Sequence, residues 1–184
     1  MRTEATVRVP KEVDPAEYAP ILCAGVTVFN AIRKLQITPG DIVAVQGLGG
    51  LGHLALQYAN KMGYKVVALS TSDSKRDFAK KLGAHEYINT SKDDAAKKLM
   101  EMGGASLIVC TGPDPKAISP LTGGLEPGGK VLILSPCGGV EVNDFVQGCA
   151  QGVQFLGLEG ASRGHGMAAK TFKEVSTFGE SVAH

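Results

Sequence analysis

The chain has 184 residues, 43% hydrophobic and 20% charged, which suits one well-buried core and leaves little room for two full domains. Its 19 basic and 18 acidic side chains leave a formal charge of +1, which excludes a general field for nucleic acid or an anionic membrane. No apolar run reaches the roughly 20 residues needed to span a bilayer, and Met1 to Pro10 has no apolar core of a signal peptide, so a soluble, cytoplasmic protein is expected.

Thr6 to Val9 reads as a short strand or an arm. Asp14-Pro15-Ala16-Glu17 reads as a helix start, with Asp14 as cap and Glu17 able to reach back to the cap amide. A second helix over about 25–35 is expected to bury Val28, Phe29, Ile32 and Leu35, and Pro39-Gly40 turns the chain. Asp41 to Gln46 is almost continuously apolar, the pattern of a strand covered on both faces. A helix with Leu51, Leu54, Ala55, Tyr58, Ala59 and Met62 on one side then stops at Gly63.

Lys65 to Ser70 is the next strand, followed by a short helix from Lys75 to Leu82 with Phe78, Ala79 and Leu82 inward. Glu86 to Asn89 is a third strand, after which Ser91 is read as the cap of a helix carrying Ala95, Leu99 and Met102. Ala105 to Cys110 is a fourth strand, Ile118 to Leu125 a short helix and Gly129 to Leu134 a fifth strand. A segment containing Val140 and Val142 leads to a sixth strand over 152–158 and a final helix through Ala168, Phe172 and Val175. Strands alternating with helices on short loops predict an α/β, doubly wound, mainly parallel six-stranded sheet with helices on both faces.

The strongest chemical signal is Gly47-Leu48-Gly49-Gly50-Leu51-Gly52, set between an apolar strand and an amphipathic helix. Gly47 closes the strand, Gly49 permits close approach of a pyrophosphate, and Gly52 lets the helix lie against the sheet. Amides of Gly49, Gly50 and Leu51 would face the phosphates at the positive helix end. The plain alternative is a structural glycine turn. On this reading residues 1–36 are an arm with lead-in helices and 37–184 are the dinucleotide-binding domain. His53, on the first helical turn, reads as a surface or phosphate-side contact.

The end of the second strand bears on which dinucleotide is bound. NAD-binding versions place an acidic residue about 20 residues beyond the loop, for the ribose hydroxyls. Here Ser70, Thr71 and Ser72 stand there, followed by Lys75 and Arg76. Hydroxyls and two cations suit a ribose phosphate, so NADP is expected; Asp73 dissents, because it lies close enough to take a ribose hydroxyl. The alternative for Lys75 and Arg76 is a solvated helix start.

The stretch Ala19 to Phe29, then Pro39-Gly40-Asp41, then Gly47 to Gly52, resembles the zinc-type medium-chain alcohol dehydrogenases over almost the whole chain. Ser70-Thr71-Ser72 with Lys75-Arg76 is most similar to their NADP-dependent cinnamyl alcohol dehydrogenase and aldehyde reductase branch. The resemblance implies that Cys23 falls at a catalytic zinc ligand and that Thr27 lines the nicotinamide pocket. It also implies that Thr111, Gly112, Ser135 and Pro136 border the dinucleotide, positions that fit ligand binding beyond the carboxyl ends of strands.

The GroES-like catalytic domain of that family has no counterpart here. Of the four histidines, His53, His85, His165 and His184, only His85 adjoins a glutamate, Glu86 at the start of the third strand, and Cys23, Cys110, Cys137 and Cys149 form no cluster. One thiolate does not make a catalytic zinc site, so no metal is expected, and Cys23 is read as a buried thiol.

Three readings follow. The first is the NADP-binding domain of a truncated or excised alcohol dehydrogenase-like protein, whose intact family reaction interconverts aldehyde and primary alcohol. The second is a small stand-alone enzyme using the opened cleft, with Cys23, Ser135 or His165 as candidate groups. The third is an interaction protein, homodimeric through an unpaired sixth strand, Val153 to Leu158. The first twenty residues are expected to lie across the sheet or helices, covering apolar surface near Val26 and Phe29.

Overall fold

The apolar runs pair into one sheet because their residues fill both of its faces. The structure, a computed structural model, describes residues 9–135 and the strands Gln154–Gly157 and Lys173–Val175. Expectations for Thr6, Pro136, Cys137, Val140, Val142, Cys149, His165, Ala168 and Phe172 lie outside the described residues.

The strands are β1 (Ile42–Gln46), β2 (Lys65–Ser70), β3 (Glu86–Asn89), β4 (Ala105–Cys110), β5 (Leu125–Ile133), β6 (Gln154–Gly157) and β7 (Lys173–Val175). The helices are α1 (Pro15–Tyr18), α2 (Ala24–Lys34), α3 (Gly50–Lys61), α4 (Arg76–Lys81), α5 (Ala95–Glu101) and α6 (Pro115–Ile118). The sheet order is β3-β2-β1-β4-β5-β6-β7. All neighbouring pairs are parallel except β6 with β7. This is the doubly wound architecture the alternation predicts, with a reversal of strand order between β1 and β4.

Successive residues of each strand feed opposite cores. Val43, Val45, Val66, Ala68, Leu107 and Val109 pack with Val28, Ala31, Ile32, Ala55, Leu56 and Ala59 of α2 and α3. Ile42, Ala44, Val67, Leu69, Ile108 and Cys110 pack on the other face with Leu99 of α5 and Ile118 of α6. The lead-in helix α2 is therefore part of the central core. Its carboxyl end is tied to the sheet by Lys130 of β5, whose Nζ donates to the Leu35 carbonyl at 2.7 Å.

Several local expectations are corrected. Among the described residues the sheet has seven strands, not six. Lys173–Val175 is not helical but pairs antiparallel along Phe155–Gly157, so β6 is not an unpaired edge awaiting a second copy. The cap of α5 is Asp94, which accepts from the Lys97 amide; Ser91 Oγ is turned away to donate to the Thr71 carbonyl.

Phe29 and Phe78 are exposed, Phe29 set edge-on to Tyr58 and Phe78 lying against the His53 ring at 4.7 Å between centroids. Asp14 caps α1 through the Ala16 amide as expected. Residues 9–12 and 14–22 are exposed, and Ile21 comes close to Gly25 of α2. Among the described residues no helix is long and apolar enough to cross a membrane.

Candidate functional site

Beyond the carboxyl ends of β1 and β4, where the strand order reverses, the loops from both strands interlock. Gly47 turns the chain with a φ of 86°, a left-handed conformation that glycine adopts without a Cβ penalty. The Thr111 hydroxyl lies 2.9 Å from the carbonyl oxygens of both Gln46 and Gly47. The Gly112 amide donates to Gln46 Oε1 at 3.1 Å, and Ser135 Oγ donates to the Gly112 carbonyl at 2.7 Å. Loops after β1, β4 and β5 are thereby fixed to one another, and Thr111 and Ser135 serve that frame. Gln46, which sequence reasoning passed over, supplies the link between the first two.

The glycines of the loop divide into two kinds. A Cβ on Gly47 would lie 2.9 Å from Thr111 Oγ1, and one on Gly52 would lie 1.9 Å from the Gly47 carbonyl oxygen. Packing therefore excludes a side chain at both. A Cβ on Gly49 or Gly50 would meet nothing within 4 Å. The internal packing has no use for their bareness, which leaves open space immediately over the opening of α3.

That opening carries the local electrostatics. Gly49 caps α3 without a side-chain bond, and the first helical hydrogen bond made there is His53 N–H to the Gly49 carbonyl, 2.9 Å. The amides of Gly50, Leu51 and Gly52 have no carbonyl one turn earlier to bond. Unfilled space over donor groups at the positive end of a twelve-residue helix fits a diphosphate.

The loop after β2 flanks this opening. Lys75 Nζ reaches back 3.3 Å to the Leu48 carbonyl, bridging it to the glycine loop. Ser72 Oγ accepts from the Ser74 amide at 3.2 Å, so its side chain caps the local turn. Arg76 is drawn into a cluster: Nη2 meets Asp73 Oδ1 at 2.8 Å, and the guanidinium sits 4.7 Å from the Tyr87 ring centroid. Asp73 Oδ2 meets Lys92 Nζ at 2.7 Å. Hydrogen bonds from Lys92, Arg76 and Asn89 hold the Asp73 carboxyl well below the usual carboxylate range, while Asp73 raises the Lys92 ammonium. Lys92 is a charged neighbour that spacing alone did not bring to this loop.

Thr27 lies half-buried on α2, one turn beyond Cys23, whose carbonyl accepts its amide at 3.0 Å. Cys23 is exposed, which corrects the expectation of a buried thiol; Cys110 is buried. The described residues do not fit a zinc centre: Cys23 has no companions, and no group of three His, Cys, Asp or Glu side chains among them is placed to hold a metal.

Strand order, interlocked crossover loops and the bare helix opening define a dinucleotide-binding α/β domain. Residues 50–178 match the family described as zinc-binding dehydrogenase. The chain is 62% identical over 143 residues to the alcohol dehydrogenase patD of Penicillium expansum, covering 78% of this chain and 42% of that protein. It is 41% identical over 128 residues to an alcohol dehydrogenase of Geobacillus stearothermophilus, covering 69% of this chain and 38% of that one.

Among solved structures, the alcohol dehydrogenase of Aeropyrum pernix superposes with a TM-score of 0.72 at 27% identity, covering 82% of this chain and 46% of that one. An alcohol dehydrogenase zinc-binding domain protein from Burkholderia ambifaria gives 0.75 at 21% identity, a likeness of fold alone, covering 83% and 43%. The chain belongs to the zinc-binding dehydrogenase family, as a nucleotide-binding domain of the zinc-type medium-chain alcohol dehydrogenase superfamily. It spans about two fifths of the length of the curated relatives it matches.

Proposed function

We propose that this chain is the NADP-binding domain of a cytoplasmic alcohol dehydrogenase-like oxidoreductase, of the cinnamyl alcohol dehydrogenase and aldehyde reductase kind, with 37–184 as the binding unit. The observation that carries the reading is the glycine loop, where Gly47 and Gly52 are demanded by packing while Gly49 and Gly50 leave the helix opening bare. When bound, the reduced cofactor supplies a hydride at nicotinamide C4, which in an intact protein of this kind reduces an aldehyde to a primary alcohol.

The residues present bind and orient. The amides of Gly50 and Leu51 receive the diphosphate, Thr27 borders the nicotinamide side, and Gly112 and Ser135 shape the wall beyond β4 and β5. The Ser70 and Thr71 hydroxyls and Lys75 stand where the adenosine ribose arrives. A carboxylate is absent at Ser70, and the Asp73 charge is already met by Arg76 and Lys92; both features favour a phosphorylated ribose.

Calorimetric titration with NADPH and NADH tests the reading. Tighter binding of NADPH is expected, and equal affinity or a preference for NADH overturns the choice of cofactor. Failure of both to bind overturns the domain's proposed role.

A further inference from the structure

The loop after β2 is bound along its length to the segment after β3. Thr90 donates to the Ser70 carbonyl through its amide at 2.8 Å and its hydroxyl at 3.4 Å. Ser91 Oγ donates to the Thr71 carbonyl at 2.8 Å, and the Tyr87 hydroxyl donates to the Ser72 carbonyl. Arg76 Nη1 adds a bond to the Tyr87 carbonyl at 3.3 Å. Three successive carbonyls of the β2 loop thus point toward the β3 segment. That registration brings Lys92, from a different crossover, to the place where an adenosine ribose is read.

The electrostatics of the loop change with Lys92 in it. Asp73 alone would oppose a phosphate. Its two oxygens are instead taken by separate cations, Arg76 at 2.8 Å and Lys92 at 2.7 Å. Two cations thus meet one carboxylate, while Lys75 of the same loop is held against the Leu48 carbonyl. An ammonium has three donors, and Asp73 occupies one; the Lys92 side chain is 70% exposed, so its other donors face solvent. Arg76, by contrast, is committed to Asp73 and Tyr87 through both terminal nitrogens. Of the two cations paired with Asp73, Lys92 is the one whose remaining donors stay presentable.

We propose that Lys92 is a specificity-determining residue for the cofactor: Asp73 positions its ammonium at the end of β2, where it binds the phosphate on the adenosine ribose. Asp73 is a counter-ion in this arrangement, not an acceptor for a ribose hydroxyl. The proposal rests on the NADP reading and extends it to a residue 22 positions beyond Ser70, contributed by another loop.

The test measures NADPH and NADH affinities of the wild-type chain, Lys92→Ala and Lys92→Arg, at low and moderate salt. Because Lys92 is exposed, the variants retain the fold, checked by circular dichroism. In Lys92→Ala the NADPH to NADH affinity ratio falls about fivefold, the fall comes from NADPH, and NADPH binding becomes less salt-dependent. Lys92→Arg restores the ratio to within about twofold, because the charge is kept.

A wild-type preference for NADPH that survives in Lys92→Ala within about twofold overturns the role of Lys92 alone. A wild type with no preference overturns the NADP reading itself, and the proposal with it.

Discussion

The α-carbon of Gly52 faces the Gly47 carbonyl so closely that a methyl group added to it would lie 1.9 Å from the oxygen. The first turn of α3 is pressed onto the turn that precedes it, and the Thr111 hydroxyl bonds the same carbonyl at 2.9 Å. Alanine at this position would gain about 1 kcal/mol of helix propensity, yet the overlap forces the backbone apart. Gly52→Ala is expected to destabilise the chain by about 1–3 kcal/mol in urea unfolding and to abolish dinucleotide binding.

Gly49→Ala separates folding from binding. Its added methyl group meets nothing within 4 Å, so stability should stay within about 0.5 kcal/mol of the wild type. The same methyl group occupies the space over the helix opening, and NADPH affinity should fall about tenfold or more. Unchanged affinity in a folded Gly49→Ala protein would remove the argument that this space receives a diphosphate.

Lys130 and Leu35 join β5 to the end of α2 through the 2.7 Å ammonium to carbonyl bond. The contact places a cation at the negative end of the helix, where α2 docks on the central core. Lys130→Met should cost about 1–2 kcal/mol, with amide exchange accelerated in α2 more than in α5. Equal acceleration across both helices would speak for a global effect instead.

The Val66 amide donates to His85 Nδ1 at 2.9 Å, which requires the ring proton on Nε2. His85→Leu preserves bulk and leaves that strand amide unpaired. A loss of about 1–3 kcal/mol in unfolding free energy is expected, and His85→Asn should recover part of it if the amide oxygen reaches Val66.

The Asp73 cluster has a defined pH window. Its carboxyl is held low in the folded chain, so its contribution is complete above the ordinary carboxylate value of about 4 and is lost as pH falls through the lower folded value. The Lys92 ammonium is raised, so its share is complete below the ordinary lysine value of about 10.4 and is lost as pH rises through the folded value. The stability difference between wild type and Asp73→Asn should therefore be flat between those limits and shrink toward pH 2. A difference that grows on acidification would contradict the pairing.

The sheet and the glycine loop were legible because their signals are local. A fully apolar run such as Ile42–Val45 has no exposed face to choose, and the glycine spacing sits directly at a strand-to-helix junction. Helix faces were less legible. Phe29 and Phe78 fall at apolar positions, yet Val28 with Ile32 and Ala79 set the buried sides and turn both rings outward. Ser91 and Asp94 are equally good capping residues by type, and the choice was made by the distant Thr71 carbonyl, which claims Ser91. Val175 falls on a helical apolar spacing, yet Lys173–Val175 pairs with β6, a partner that periodicity does not name. Gln46 and Lys92 went unnoticed for the same reason: each acts on a residue brought close only by the sheet.

The two kinds of glycine in the loop imply two different tolerances to change over evolutionary time. A descendant that ceased to carry a nucleotide would still need Gly47 and Gly52 to fold, whereas Gly49 and Gly50 would be released to acquire side chains. The middle of the motif is thus the sensitive record of retained cofactor use, and its ends record only the architecture.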